Sequence, residues 1–193
     1  MTRMLLKEGL LSCLADNSFE SVTVTSLCKA SGITRSTFYL HYSNIMEIVD
    51  DLVDDAIAYS KPGMVDNNNL QTIANTLSAA SNSVSLREAY DSIFDRLPLC
   101  QRIIRHKKYL PLFLDEQISE YVLQRIIGSE KDRQGLVMAE ALGTSFDVGV
   151  SVFVFLVHGL YAVNKQYKWS QSDEWLEAQK VIFELVCRGL QRK

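Results

Sequence analysis

The run Val22-Thr23-Val24-Thr25-Ser26-Leu27-Cys28-Lys29-Ala30-Ser31-Gly32-Ile33-Thr34-Arg35-Ser36-Thr37-Phe38-Tyr39-Leu40-His41-Tyr42 leaves this chain few ways to fold locally. Thr23 is expected to cap a short helix, because its hydroxyl can accept from a first-turn N–H that has no partner inside the helix. Leu27 and Ala30 then fall on one face. Gly32 supplies a left-handed residue that ends the helix without a Cβ clash. Thr34 is placed to cap a second helix, and Phe38 to point back at the first.

Two short helices around a glycine turn form the helix-turn-helix unit, whose second helix suits the DNA major groove. The segment Gly32-Ile33-Thr34-Arg35-Ser36-Thr37-Phe38-Tyr39-Leu40-His41-Tyr42 resembles the recognition segment of the TetR family of transcriptional regulators. Leu5 to Leu14, followed by Phe19-Glu20-Ser21-Val22-Thr23-Val24, is similar to that family's first helix and its entry into the second. The resemblance covers roughly residues 2–53. Further on, Gly159-Leu160, then Trp169 and a Ser-capped final helix, resemble the regulatory domain of TetR-like proteins of Gram-positive bacteria.

The resemblance implies a set of DNA-facing residues: Thr23, Thr25, Thr34, Arg35, Ser36, Thr37, Tyr39, His41 and Tyr42. Arg35, Ser36 and Thr37 open the recognition helix, where Arg pairs with guanine edges and Ser or Thr serves a base or a phosphate. Tyr39, His41 and Tyr42 match family positions that contact phosphate or brace the helix; for Tyr42 packing against helix 4 is the stronger expectation. Thr23 and Thr25 match positions at the entry to helix 2 that touch the DNA backbone. Two positions depart from the family pattern. Ile45 stands where these proteins place a lysine at the start of helix 4, and Ile45 offers no charge to a phosphate. Ser18 stands where glycine is common.

Charge is distributed unevenly. Residues 1–45 hold Arg3, Lys7, Lys29 and Arg35 against Glu8, Asp16 and Glu20, a net of +1. Residues 46–95 have a net of −7, with Asp50, Asp51, Asp54 and Asp55 close together, and residues 96–193 a net of +3. Since phosphate neutralisation supplies most non-specific affinity, DNA binding should be modest and salt-sensitive. The cluster Arg102, Arg105, His106, Lys107 and Lys108 reads as a solvated turn, with an anionic ligand or partner as its alternative.

Periodicity predicts helices throughout. Helix 1 is expected over Thr2–Ala15, and helix 4 starts from Asn44 through Ile48, Leu52 and Ala56. Pro62-Gly63 and Asn67-Asn68-Asn69 read as a loop and the domain boundary. A mild helical pattern covers Leu70 to Ala80. A capping box at Ser85–Glu88 opens a helix through Leu97, and a short helix runs from Pro98 to about His106. One helix is expected over Pro111–Ile127, with Gly128–Ser145 irregular or weakly helical. Val148 to Asn164 runs 17 residues without a charge. Its valines alternate as in a strand, but no other segment offers a partner strand, so a buried helix over Phe146–Tyr167 is expected rather than a strand or a membrane span. The last helix begins near Ser172.

The expected fold is therefore all-α: a helix-turn-helix domain over 1–45, linked by helix 4 (about 44–60) to a helical regulatory and dimerisation domain over 61–193. The two faces of the Val148–Asn164 helix and the stripe on the last helix exceed what one chain can cover, which predicts a homodimer. Cys13, Cys28, Cys100 and Cys187 show no metal spacing and read as reduced thiols of a cytoplasmic protein. No phosphate-cradling loop, nucleophile elbow or metal-spaced His pair is visible, so no cofactor, no metal and no enzymatic activity are expected. The expected partners are a double-stranded DNA operator, a second copy and an effector, small molecule or protein, with no membrane. His158, Tyr161, Tyr167 and Trp169 are ambiguous between an effector pocket and core. The alternative is a helical interaction or ligand-binding co-regulator that has lost strong DNA affinity.

Overall fold

The computed structural model describes residues 1–60 and 70–190, without the side chains of residues 60, 70, 71, 99, 100, 104 and 190. The expected Pro62–Asn69 loop lies outside the described residues, as does the side chain of Cys100. About 80% of the protein is helical and the described residues contain no strand, so the fold is all-α. It divides into two compact units: Met1–Pro62 with Ile103–Ile126, and Gly63–Arg102 with Ile127–Lys193. The first unit thus takes in residues 103–126, which the sequence reading placed in the regulatory domain.

In the first unit, α1 (Thr2–Asp16) packs on α2 (Val24–Ser31) and α4 (Ile45–Ser60), and α2 leads into α3 (Arg35–Tyr39). The 3-10 turn Phe19–Ser21 joins α1 to α2. Leu6, Leu10, Leu27, Phe38, Ile48 and Val49 are wholly inaccessible. Burying each such side chain contributes about 1.5–3 kcal/mol. This unit is completed by the end of α7 (Leu99–Arg105), by α8 (Leu110–Leu114), which packs on α1, and by the first residues of α9 (Ser119–Leu142).

The single helix expected over Pro111–Ile127 is broken at Asp115. Its carboxylate accepts the N–H groups of Gln117 (2.9 Å) and Ile118 (3.1 Å), so a side chain replaces the backbone acceptor and starts a new helix. The other Asp115 oxygen accepts the Phe19 N–H at 2.6 Å.

The second unit holds α5 (Leu70–Ser78), α6 (Ser83–Ser92), the first residues of α7, the rest of α9, α10 (Phe146–Gln166) and α11 (Asp173–Leu190). α11 packs on α5 and α6. The cap of α6 is Asn82, whose side chain accepts the Ser85 N–H at 2.9 Å, so Ser85 is the third helical residue and not the cap expected for it. The helix ends at Ser92, before the Phe94–Arg96 turn.

The segment expected over Gly128–Ser145 as irregular or weakly helical is helical, a continuation of α9 to Leu142. Its buried face runs Ile126, Ile127, Glu130, Gln134 and Met138. Two polar residues on that face hide the apolar period. Gly135 in α9 meets Gly149 in α10: a Cβ on Gly149 would lie 2.2 Å from the Gly135 carbonyl oxygen and 2.7 Å from the Ala139 nitrogen. Gly135, which weakens the helical pattern, is what lets α9 approach its neighbour: a Cβ there would lie 2.4 Å from Val150 Cγ2.

The helix over Phe146–Gln166 is long and apolar enough to cross a membrane by length and composition, yet only 28% of its most apolar window is buried. The expectation of burial on all sides is not met within one chain. Phe155 is 74% exposed on α10, and Leu185 is 71% exposed on α11. α10 ends in two consecutive left-handed residues, Lys168 (φ 50°) and Trp169 (φ 59°).

Candidate nucleic-acid interface

The α2–α3 segment is built from local hydrogen bonds. Thr23 and Ser26 cap α2 reciprocally: Thr23 Oγ1 accepts the Ser26 N–H at 3.1 Å, and Ser26 Oγ accepts the Thr23 N–H at 2.9 Å. Gly32 has φ 65°, and the Ile33 N–H returns to the Cys28 carbonyl at 3.0 Å, a 6→1 bond that closes the helix. Thr34 then caps α3 by accepting the Thr37 N–H at 3.2 Å. Phe38 is fully buried and anchors α3, with Tyr39 edge-on to it at 5.1 Å.

The expected DNA-facing residues separate into three groups. Thr25, Arg35, Ser36, Tyr39 and His41 are exposed, and Arg35, Ser36 and Tyr39 share one face of α3. Thr23, Thr34 and Thr37 are accessible at least in part, but the hydroxyls of Thr23 and Thr34 are engaged in caps, and Thr37 Oγ1 lies 2.8 Å from Thr34 Oγ1. Tyr42 leaves the set. It is 3% exposed, its hydroxyl donates to Asp51 Oδ2 at 2.5 Å, and it accepts from Arg3 Nε at 3.2 Å. Burial and the neighbouring carboxylate push its phenol up to about 12. Tyr42 is a brace between α1 and α4. Lys29, which the sequence reading counted only as charge, is exposed one turn after Thr25 on α2.

The aspartates of α4 are matched on both sides. Arg3 Nε meets Asp51 at 3.0 Å, and Lys7 pairs with Asp55. Tyr121 donates to Asp50 at 2.5 Å, and Arg125 Nη2 meets Asp54 at 2.7 Å. Burial raises the Asp51 carboxyl, but the hydrogen bonds from Arg3 and Tyr42 outweigh it and hold it below the usual range. Arg3 and Lys7 are therefore committed to α4. Of the four cations in residues 1–45, Lys29 and Arg35 remain to face a phosphate.

The start of α4 is closed to anions for a second reason besides Ile45, which is half-buried. Asn44 Oδ1 accepts the Glu47 N–H at 3.2 Å, and Glu47 Oε2 accepts the Ser43 N–H at 2.8 Å. A carboxylate already occupies the positive end of the helix. The sequence signal was present as Asn-x-x-Glu, a capping pattern.

Among the described residues no group of three or more His, Cys, Asp or Glu side chains could hold a metal ion. Burial raises the thiols of Cys13, Cys28 and Cys187. No protein-family model, curated protein or solved structure matches this chain.

Proposed function

We propose that this chain is a DNA-binding transcriptional regulator of the TetR type, acting in the cytoplasm as a homodimeric, effector-responsive repressor. The observation that carries the reading is the α2–Gly32–α3 segment. It is capped at both helix starts, locked by Phe38, and leaves Arg35, Ser36 and Tyr39 together on an exposed face. A rigid short helix presenting Arg and hydroxyl groups is what base-edge reading requires.

The second copy is proposed to cover the apolar surface of α10 and α11. Val148 (46% exposed), Phe155, Val181 (55%) and Leu185 lie on those two helices. A two-fold pairing of the helices would bury them in a four-helix contact. Regulation would follow from an effector that binds one spacing of the two DNA-binding units better than the other, since equal affinity for both shifts nothing.

A gel shift against the chain's own upstream promoter, titrated with salt, tests the reading. Arg35→Ala should weaken cognate binding by about 1–3 kcal/mol and relax sequence preference. Tyr39→Phe should weaken all sequences alike. A monomeric mass by light scattering at micromolar concentration would remove the dimer. One observation favours the second reading, a helical co-regulator without strong DNA affinity: Glu47 and Ile45 at the start of α4 leave no phosphate anchor there. Under that reading neither promoter nor random DNA shifts at low salt.

A further inference from the structure

A cavity of about 620 Å³ lies within the first unit, between the end of α1 and the α8–α9 turn. Its volume falls in the range of small-molecule sites. Leu14, Leu110, Pro111 and Leu114 give it an apolar floor, on which Leu114 is left exposed.

The charge of the wall is mostly negative. Asp16, Asp115 and Glu116 line it against one cation, Lys107. Gln117, also in the wall, donates to Glu20 at 2.9 Å and so holds a fourth carboxylate at its edge. Asp115 engages the N–H groups of Phe19, Gln117 and Ile118, and no cation pairs with it among the described residues. Asp16 and Glu116 are exposed, and neither has a hydrogen bond or ion pair among the described residues.

The backbone adds acceptors independently of these side chains. α1 has no basic residue in its last turn, and the N–H and Nδ2 of Asn17 both go to the Cys13 carbonyl, at 3.0 and 3.1 Å. The carbonyls of Leu14, Ala15 and Asp16 are therefore left without a donor among the described residues. They form the negative end of the helix dipole, and all three residues line the cavity. A cavity of about 390 Å³ in the second unit also has carboxylates in its wall. There, however, Arg87 pairs with Asp173 at 2.9 Å and Lys180 donates to the Ala80 carbonyl at 3.1 Å, so two cations already stand among the acids.

We propose that the α1–α8 cavity binds a small organic cation, a protonated amine on an apolar body. The ammonium takes the Asp16 and Glu116 carboxylates and the open carbonyls of α1 as acceptors, and the body lies on Leu14, Pro111 and Leu114. An ammonium carries only donors, which matches a wall of free acceptors. An anion would meet three carboxylates and a negative helix end for one lysine. The site is in the first unit and goes beyond the regulatory reading, since binding there does not depend on whether the chain binds DNA.

Calorimetric titration of the full chain with phenethylamine, phenethyl alcohol and hydrocinnamate separates charge from shape. Phenethylamine should bind saturably and about tenfold more tightly than the alcohol, the factor of one charged hydrogen bond, and hydrocinnamate should not bind. Asp16→Asn combined with Glu116→Gln should lower the affinity for the amine about tenfold and leave that for the alcohol unchanged. In a ¹⁵N-labelled chain the amine should shift the amides of Asn17, Ser18 and Leu110, which line the cavity. Should the double variant not fold, the wild-type series and the amide shifts decide. No saturable heat with phenethylamine, equal affinity for amine and alcohol, or binding of hydrocinnamate as tight as that of the amine would overturn the proposal. So would an affinity that the folded double variant leaves unchanged, or shifts confined to the start of α11.

Discussion

Replacing Tyr42 by phenylalanine removes one oxygen and separates two roles for this residue. A hydrogen bond to an ionised carboxylate contributes about 1.5–3 kcal/mol. The loss should fall in the lower part of that range, because Arg3 still meets Asp51 at 3.0 Å and the ring still packs 6.3 Å from Phe38. A cost of about 2 kcal/mol in a chain of this size lowers Tm by about 4–8 °C. The alkaline limb gives a second reading. The Tyr42 phenol is raised from 10.0 to about 12, chiefly by burial and then by the Asp51 carboxylate. The folded state therefore keeps a proton that the unfolded chain releases. That contribution is fully present below about pH 10 and is lost as pH rises through the folded value. Wild type should lose more stability over that window than Tyr42→Phe, which keeps the raised thiols and the raised phenols of Tyr109 and Tyr121 but not this one, so their melting temperatures converge. Circular dichroism melts across the pH range, with DNA affinity measured well below Tm, check both. Weaker DNA binding at an unchanged Tm would place the hydroxyl on a phosphate and refute the brace.

Ile45→Lys should raise affinity for operator and random DNA together and steepen the salt dependence by roughly one phosphate contact; a lower Tm with an unchanged slope would show the half-buried Ile45 to be a packing residue. Gly149→Ala, whose Cβ would press on α9 backbone at 2.2 Å, should cost about 1–3 kcal/mol in spite of alanine's better helix propensity, whereas Gly128→Ala, with nothing within 4 Å, should gain about 0.5–1 kcal/mol. Urea denaturation gives the two signs, and stabilisation by both would mean that α9 and α10 are not in close contact. Asp115→Ala leaves the Phe19, Gln117 and Ile118 N–H groups without their carboxylate and should cost about 2–3 kcal/mol, with Asp115→Asn recovering part of it. A change under about 0.5 kcal/mol would show that water replaces the carboxylate at no penalty.

The α2–α3 segment was legible because everything that shapes it is local. Thr23, Gly32 and Thr34 act within one turn of their own positions, and their caps have the expected partners. Tyr42 packs against α4 as expected, but its two hydrogen-bond partners, 39 residues before it and nine after, are not local and could not be named from the sequence. The second half of α9 read as irregular or weakly helical for a different reason. Helical period is read from apolar residues, and Glu130 and Gln134 occupy buried positions where the pattern calls for aliphatic ones. Glu130 is accommodated there by Arg133, whose Nη2 lies 2.6 Å away. Likewise, Asp115 breaks a segment whose composition is helical on both sides, and only the direction of its carboxylate shows why.

The paired aspartates of α4 also bear on how any salt titration of this protein is interpreted. Arg3–Asp51, Lys7–Asp55 and Arg125–Asp54 are at least partly open to solvent, so added salt screens them as it screens contacts to phosphate. If DNA is bound through α3, ionic strength acts on the ligand and on the support of the reading helix at once. The slope of log affinity against log salt would then exceed the number of phosphates neutralised. Subtracting the salt dependence of α4 hydrogen exchange, measured without DNA, would recover the phosphate count.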